Sequence, residues 1–334
     1  MNTPSISILL PFTREKSWLK EAIHSIINQS FTDWELLLIN NSSDQETSAI
    51  AENFCQTSDK IKLIFENRPG ISFALNTGLS NAKGPFIARM DADDSCHRDR
   101  LKLQLEYLKR HPEIDVISCQ TTPHPDGIIG EGFHHYMNWQ NTLLSPDNHF
   151  TNRFIESPLA HPTVMYSKAL PAKFGGYTEE DVPEDYELWL RWMSEKVRFQ
   201  KIPEYLYQWR DHPNRLSRSS KNYSAEKFHL LKSAYLSQEL RKHHSEKSII
   251  ICGANRENRR KSEILESFGI KISGFTDVVE RTIEGKIFIP ADEITPDAQL
   301  FYVSFVSSRG KSTEMWNFLT SKKLEEGKSF LLAG

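Results

Sequence analysis

Cysteine is scarce in this chain. Its 334 residues hold four, Cys55, Cys96, Cys119 and Cys252, with no C-x-x-C pair and no zinc spacing. They read as reduced thiols of a cytoplasmic protein. Long apolar runs are also missing. None approaches the ~20 residues needed to span a bilayer, and Met1–Ser7 has no basic stretch followed by an apolar core, so no signal peptide is expected. A lipid-linked substrate would have to be met from the membrane surface. Strong charge of either sign is missing as well. The net charge is -3 and the pI near 6.5, and nothing global points to nucleic acid. There are no repeats and no low-complexity segments. With 38% hydrophobic and 25% charged residues the composition is that of a globular protein, and the length allows two domains.

What is present is an apolar run, Pro85–Met90, that meets Asp91, Asp93 and Asp94 within four residues. The run predicts a buried strand. Its acids then sit at the carboxyl end, where open α/β sheets bind ligands. Three carboxylates this close repel one another, and a hard divalent cation that shares them relieves the repulsion. Such a cation keeps positions open for phosphate oxygens. A solvated acidic turn that caps the next helix is the alternative.

The elements around this run alternate. Strands are expected at Ile6–Pro11, Glu35–Ile39 and Lys62–Glu66, with helices between them and another at Ser72–Ala82. That is a βαβ series with a mostly parallel sheet. Beyond the acids, Leu101, Leu105 and Leu108 mark a helix, and Val116–Cys119 and Thr163–Tyr166 mark strands. Thr121–Asn148 reads as irregular structure over the site. Pro183-Glu184-Asp185 opens a helix, Tyr205–Trp209 is a short strand, and Asn222–His244 is one long charged helix. From Glu246 the composition shifts, and strands at 248–253, 271–275 and 300–306 predict a second, smaller βαβ unit. The expected division is 1–220, a connecting helix 221–245, and 246–334.

Several stretches in order resemble the family 2 inverting glycosyltransferases, which have the GT-A fold. They are Leu10-Pro11-Phe12; Ser25-Ile26-Ile27-Asn28-Gln29-Ser30-Phe31 with Trp34-Glu35-Leu36; Asn76-Thr77-Gly78-Leu79; Arg89-Met90-Asp91-Ala92-Asp93-Asp94, the DXD element; and Gly175-Gly176-Tyr177 before Pro183–Arg191. The resemblance covers Ser5 to about Ser219. It implies a mixed, mostly parallel sheet flanked by helices, a nucleotide-diphosphate sugar donor (UDP as the first guess), a glycan or lipid-linked acceptor, and bacterial surface polysaccharide synthesis at the inner face of the membrane.

The resemblance also implies roles. Asp93 coordinates Mn²⁺ or Mg²⁺, Asp91 contacts ribose or the metal shell, and Asp94 supports them. Asp185 is the base that takes the acceptor proton, with Glu184 beside it. Pro11, Phe12, Asn40, Asn41, Arg68 and Ala92 join Asp91 and Asp93 around the donor. His212 is a metal or diphosphate ligand or a surface histidine beside Pro213. His161 and Trp209 belong to the acceptor side, or else to the core. Arg210 lines the diphosphate or lies on the surface, and Arg89 and Arg100 are ligand contacts or salt-bridge partners.

Two departures matter. The family's usual acids after the second strand are Asn40-Asn41 here, so the charge-assisted bond to a uracil is lost. Thr13-Arg14-Glu15 replaces the usual Tyr-Asn-Glu. The C-terminal unit resembles the small Rossmann-like domain fused to some such transferases. Only Gly253 remains of a GxGxxG-like turn, which argues for a docking or stabilising module rather than an NAD site, although Asp277 stands where a ribose-binding acid would. A non-catalytic nucleotide-sugar-binding or scaffold protein is the alternative function. A glycosidase also uses paired carboxylates but needs no phosphate-binding metal.

Overall fold

The computed structural model describes residues 3–127, 130–306 and 311–334. Met1–His149 with Pro158–Ser220 form one compact unit, and Phe150–Ser157 with Lys221–Gly334 form another. The Ala225–His243 helix thus belongs to the second unit rather than standing between two domains.

The first unit is built on β1 (Ile6–Phe12), β2 (Trp34–Asn40), β3 (Ile61–Phe65), β4 (Phe86–Arg89), β5 (Ser95–Cys96), β6 (Val116–Pro123), β7 (Met165–Ser167) and β8 (Phe199–Trp209). Their order across the sheet is β3-β2-β1-β4-β7-β6-β8-β5. The first four are mutually parallel. β7 runs antiparallel to β4 and β6, and β6 and β8 pair in parallel. Every residue of β1 and β2 is buried, because helices cover both faces of the sheet. Leu10, Leu36 and Leu38 pack with Ile23 and Ile26 on one face. Leu9, Leu37 and Ile39 pack with Leu75, Trp189 and Trp192 on the other. Glu35, buried in β2, is tolerated because it accepts from Ser7 Oγ and the Lys83 amide, both at 2.7 Å, and pairs with Lys62.

Two expectations change. Thr121–Asn148 is not irregular throughout: β6 runs on to Pro123, and helices span Glu131–Thr142 and Pro146–Asn152. The first of these helices buries only Met137, Gln140 and Asn141, too thin a stripe to read as amphipathic. β8 starts six residues earlier than Tyr205, at Phe199. Lys201 hides its beginning, a charged residue that is nonetheless buried and donates to Gln140 O.

In the second unit β9 (Ser248–Cys252), β10 (Ile272–Asp277), β11 (Ile287–Pro290), β12 (Leu300–Ser304) and β13 (Phe330–Leu332) form an all-parallel sheet of order β11-β10-β9-β12-β13, the doubly wound arrangement. The turn after β9 closes on its own side chains. Asp277 Oδ2 accepts from the Ala254 amide at 2.8 Å, Asn255 Oδ1 caps the Asn258 amide at 2.9 Å, and Asn258 Nδ2 donates to Cys252 O at 3.1 Å. A dinucleotide needs these amides for its pyrophosphate. Asp277, which stands where a ribose-binding acid would in such a unit, here holds the turn.

Candidate active site

Parallel pairing brings the carboxyl ends of β1, β2 and β4 to one edge of the sheet, with Phe12 opposite Asn40 and Leu9 opposite Arg89. Asp91–Asp94 leave β4 at that edge. Each acid is held by a different partner. Asp91 pairs with the buried Arg89 guanidinium at 2.6 Å, and Arg89 O accepts from Arg100 Nη2 at 2.6 Å. Both arginines are therefore internal braces of the acid turn. Asp93 Oδ2 meets His212 Nε2 at 2.7 Å. Asp94 Oδ2 accepts from the Tyr207 hydroxyl at 2.9 Å and its Oδ1 from the Arg210 amide at 2.7 Å. The result is a cluster in which one oxygen from each of Asp91, Asp93 and Asp94 lies within 4.8 Å of the others.

The cluster is electrostatically uneven. Burial pushes Asp94 well above the usual carboxylate range, and the charges of Asp93 and Asp91 push it further. Burial also raises Asp91, with Arg89 offsetting part of the effect. Burial opposes ionisation of Asp93 too, but the His212 hydrogen bond and the Arg215 charge outweigh it, and Asp93 is held below its ordinary value. Glu15, in the first loop, is raised by burial and by Asp93. It accepts from the Thr13 and Arg14 amides at 2.6 and 2.8 Å.

This donor set fits a hard divalent cation. It offers carboxylate oxygens, and His212 Nδ1 is buried with no hydrogen-bond partner among the described residues. A second group of ligating side chains, Glu21, His124 and Asp126, already surrounds a cation. The Arg210 guanidinium lies 2.8 Å from His124 Nε2 and 3.4 Å from Asp126, and it bonds Glu21. Arg210 Nε also donates to Asp93 O at 2.7 Å. Arg210, at 1% exposed, is a buried hub and not a surface arginine.

Asp185 opens the Glu184–Ser194 helix behind Pro183. Its carboxyl accepts from the Tyr186 amide at 2.7 Å. Burial raises its pKa to about 6, with the Asp91 charge contributing against that hydrogen bond. The coupling puts Asp185 within electrostatic reach of the acid turn. Glu184 is buried and acts on Arg89 and Tyr177 by its charge, which makes it a counter-charge in the wall.

Other expected donor contacts are less free. Phe12 is a core residue, its carbonyl taken by the Asn41 amide, and Pro11 and Ala92 are buried. Asn41 Nδ2 donates to Glu66 O and Arg68 O at 2.9 and 2.8 Å, and its Oδ1 accepts from the Gly70 amide at 2.9 Å. Its amide ties loops together rather than facing a base. Asn40 Oδ1 caps Ser43 and its Nδ2 donates to Ser48, and it lines a 520 Å³ surface pocket with Phe65 and Glu52. Arg68 is exposed, paired with Glu66 at 2.8 Å. His161 lies among aromatic rings of the core. It bonds the Tyr177 hydroxyl at 2.8 Å, meets Trp189 edge-on, and is held neutral, burial pushing its pKa well below the usual value. Trp209 packs against Phe133 and Tyr136, its Nε1 without a partner among the described residues. The braces Tyr207, Glu21 and His124 were not expected from sequence, because their partners lie far away in the chain.

Comparison with known proteins decides the family. Residues 7–170 match the model of glycosyl transferase family 2. The chain carries a family 2 glycosyltransferase domain. It is 28% identical over 223 residues to the O-antigen biosynthesis glycosyltransferase WbnJ of Escherichia coli, covering 65% of this chain and 84% of that one. It is also 28% identical over 243 residues to the Bacillus subtilis (strain 168) protein EpsE, covering 66% and 78%. Among solved structures, S. aureus TarS 1-349 in complex with UDP-GlcNAc matches with a TM-score of 0.56 at 18% identity, covering 79% of this chain and 71% of that one. The mannosyltransferase PcManGT from Pyrobaculum calidifontis, in complex with GDP-Man and Mn²⁺, matches with a TM-score of 0.51 at 18% identity, covering 80% and 69%. These structural likenesses establish the GT-A fold of the transferase domain.

Proposed function

We propose that this glycosyltransferase moves a sugar from a nucleoside-diphosphate sugar, with inversion and with Mn²⁺ or Mg²⁺, to a glycan or lipid-linked acceptor in bacterial surface polysaccharide synthesis. One observation carries the reading: acids of opposite tendency lie within electrostatic reach of one another. Asp93 is held ionised by His212, while Asp185 is raised to about 6 beside Asp91. Pairs of titratable groups whose environments push them apart divide the labour of a reaction.

Asp185 takes the proton of the acceptor hydroxyl as its oxygen bonds the anomeric carbon. The bond from that carbon to the diphosphate breaks on the opposite face. Asp93 and Asp91 would hold the cation, with Asp94 and His212 beside them. Bound there, it offsets the negative charge that gathers on the leaving diphosphate. Arg89, Tyr207 and Arg210 keep the acids in place. The polysaccharide role rests on the name of WbnJ. TarS with UDP-GlcNAc and PcManGT with GDP-Man make uridine and guanosine donors the first two to try. No helix among the described residues is long and apolar enough to cross a membrane, so a lipid-linked acceptor would be met by peripheral contact, at the cytoplasmic face.

The test is turnover of a panel of nucleotide sugars with Mn²⁺, with and without EDTA. Transfer that EDTA abolishes and Mn²⁺ restores is the expected result. Full activity in EDTA removes the metal from the reading. Donor binding without transfer or hydrolysis for every acceptor tried favours the non-catalytic alternative.

A further inference from the structure

Three arginines follow one another after β8, and they are employed differently. Arg210 is occupied by Glu21 and Asp126. Arg218 is paired with the buried Asp211 at 2.6 Å. Arg215 has no carboxylate within ion-pair distance among the described residues. Its guanidinium lies instead over two rings, 4.7 Å from the centroid of Trp209 and 5.2 Å from that of Phe133. Aromatic faces hold a guanidinium by its plane, and its N–H donors point outward along the edges. One of these, on Nη1, donates to Arg210 O at 3.2 Å. Arg210 in turn gives its amide to Asp94 and its Nε to Asp93 O, so Arg215 is tied through one residue to the acid turn. Its charge reaches all three acids, favouring the ionised form of each.

We propose that Arg215 is a donor-binding cation: a counter-charge to Asp91, Asp93 and Asp94 in the free protein, and a two-pronged contact to the diphosphate of the bound donor. The assignment rests on the donor reading given above. A half-buried arginine held by ring faces is suited to this, because its planar fork matches phosphate oxygens and little freedom is lost when they arrive. The same placement gives opposite effects on two ligands. A bare divalent cation is repelled by Arg215, whereas a nucleoside diphosphate is attracted.

The experiment uses the full chain with Arg215→Met and Arg215→Lys. Free Mn²⁺ is followed by its electron paramagnetic resonance signal without nucleotide, and UDP, GDP and UMP are titrated by calorimetry in Mn²⁺. Arg215→Met is expected to bind Mn²⁺ alone more tightly than wild type. It is expected to bind the diphosphate about tenfold or more weakly, the size of a lost charge-assisted contact, with a smaller loss for UMP. Arg215→Lys, a point charge without the fork, falls between the two and serves alone if Arg215→Met does not fold. Weakening of Mn²⁺ and nucleotide alike would mark a merely structural arginine and overturn the assignment, as would a diphosphate affinity unchanged by either substitution. Failure of wild type to bind either UDP or GDP overturns the donor reading itself, which the Arg215 variants cannot do.

Discussion

His212 Nε2 lies 2.7 Å from Asp93 Oδ2, although 119 residues separate them. The contact fastens the segment after β8 to the turn after β4. It also fixes the imidazole. Nε2 is taken by the carboxylate, and Nδ1, at the other side of the ring, is buried without a partner among the described residues. The ring leans on Trp18, centroids 4.4 Å apart, so it cannot easily swing away. Asp93 is thereby kept ionised and pointed, as a ligand requires.

Replacing His212 by alanine should therefore weaken Mn²⁺ binding by about 10–100-fold, the range found when the support of a metal ligand is removed. Titration of the metal against the melting temperature of the folded protein reads this out. An unchanged Mn²⁺ affinity would show that His212 neither binds nor orients.

Asp185 gives a pH prediction whose sign is fixed by its role. A base must be unprotonated, and the pKa of Asp185 is raised to about 6. Activity should be full above that value and fall as pH drops through it, about tenfold per unit once the acid form dominates. A cation held at Asp91 withdraws part of the charge that raises Asp185, so adding the cation alone moves the limb to lower pH. Asp185→Asn should lose about 10²–10⁴ in kcat, the usual worth of a positioned base, with donor affinity nearly intact. Retention of wild-type turnover by this variant ends the assignment.

The parallel half of the fold was legible in the sequence because its signals are local. Continuous apolar runs such as Leu36–Ile39 mark strands buried on both faces. Asp44, whose carboxylate caps the Thr47 amide at 2.7 Å, marks a helix start. The acid turn was legible as a cluster, but not the braces that hold it. Arg210 looks like any surface arginine until β8 folds against β5 and brings it to Asp93 and Glu21. Asn41 looks like a free carboxamide until three backbone groups of the 66–70 loop close on it. His161 carries no local mark of its ring neighbours. Long-range pairing decides each of these, and spacing along the chain does not encode it.

Gly274 tests the second unit. A Cβ built there would lie 2.3 Å from Ile287 O across the β10–β11 ladder, and backbone cannot step aside as a side-chain tip can. Gly274→Ala should cost about 1–3 kcal/mol, the range for overpacking. Hydrogen exchange should show the loss in β10 and β11, with the amides of β1 and β2 unaffected because they lie in the other compact unit. Uniform loss of protection across both units would contradict the division.

Lys201 yields the last prediction, again from sign. Its ammonium is buried in β8, where desolvation lowers its pKa to about 7. Cys119, itself raised to about 11 by burial, and His149, pushed well below its usual value, face it. Below about pH 7 both the folded and the unfolded chain carry the charge, and the folded state bears the full desolvation penalty. Between about 7 and the unfolded value near 10.5 the folded state sheds a proton that the unfolded chain keeps, so stability rises with pH over that window. Lys201→Met keeps a similar volume without the charge, at the loss of one hydrogen bond to Gln140 O. Its advantage over wild type in melting temperature should be greatest near pH 6 and should shrink steadily towards pH 10. An advantage that is flat in pH would mean that Lys201 is not charged in its buried site at pH 6.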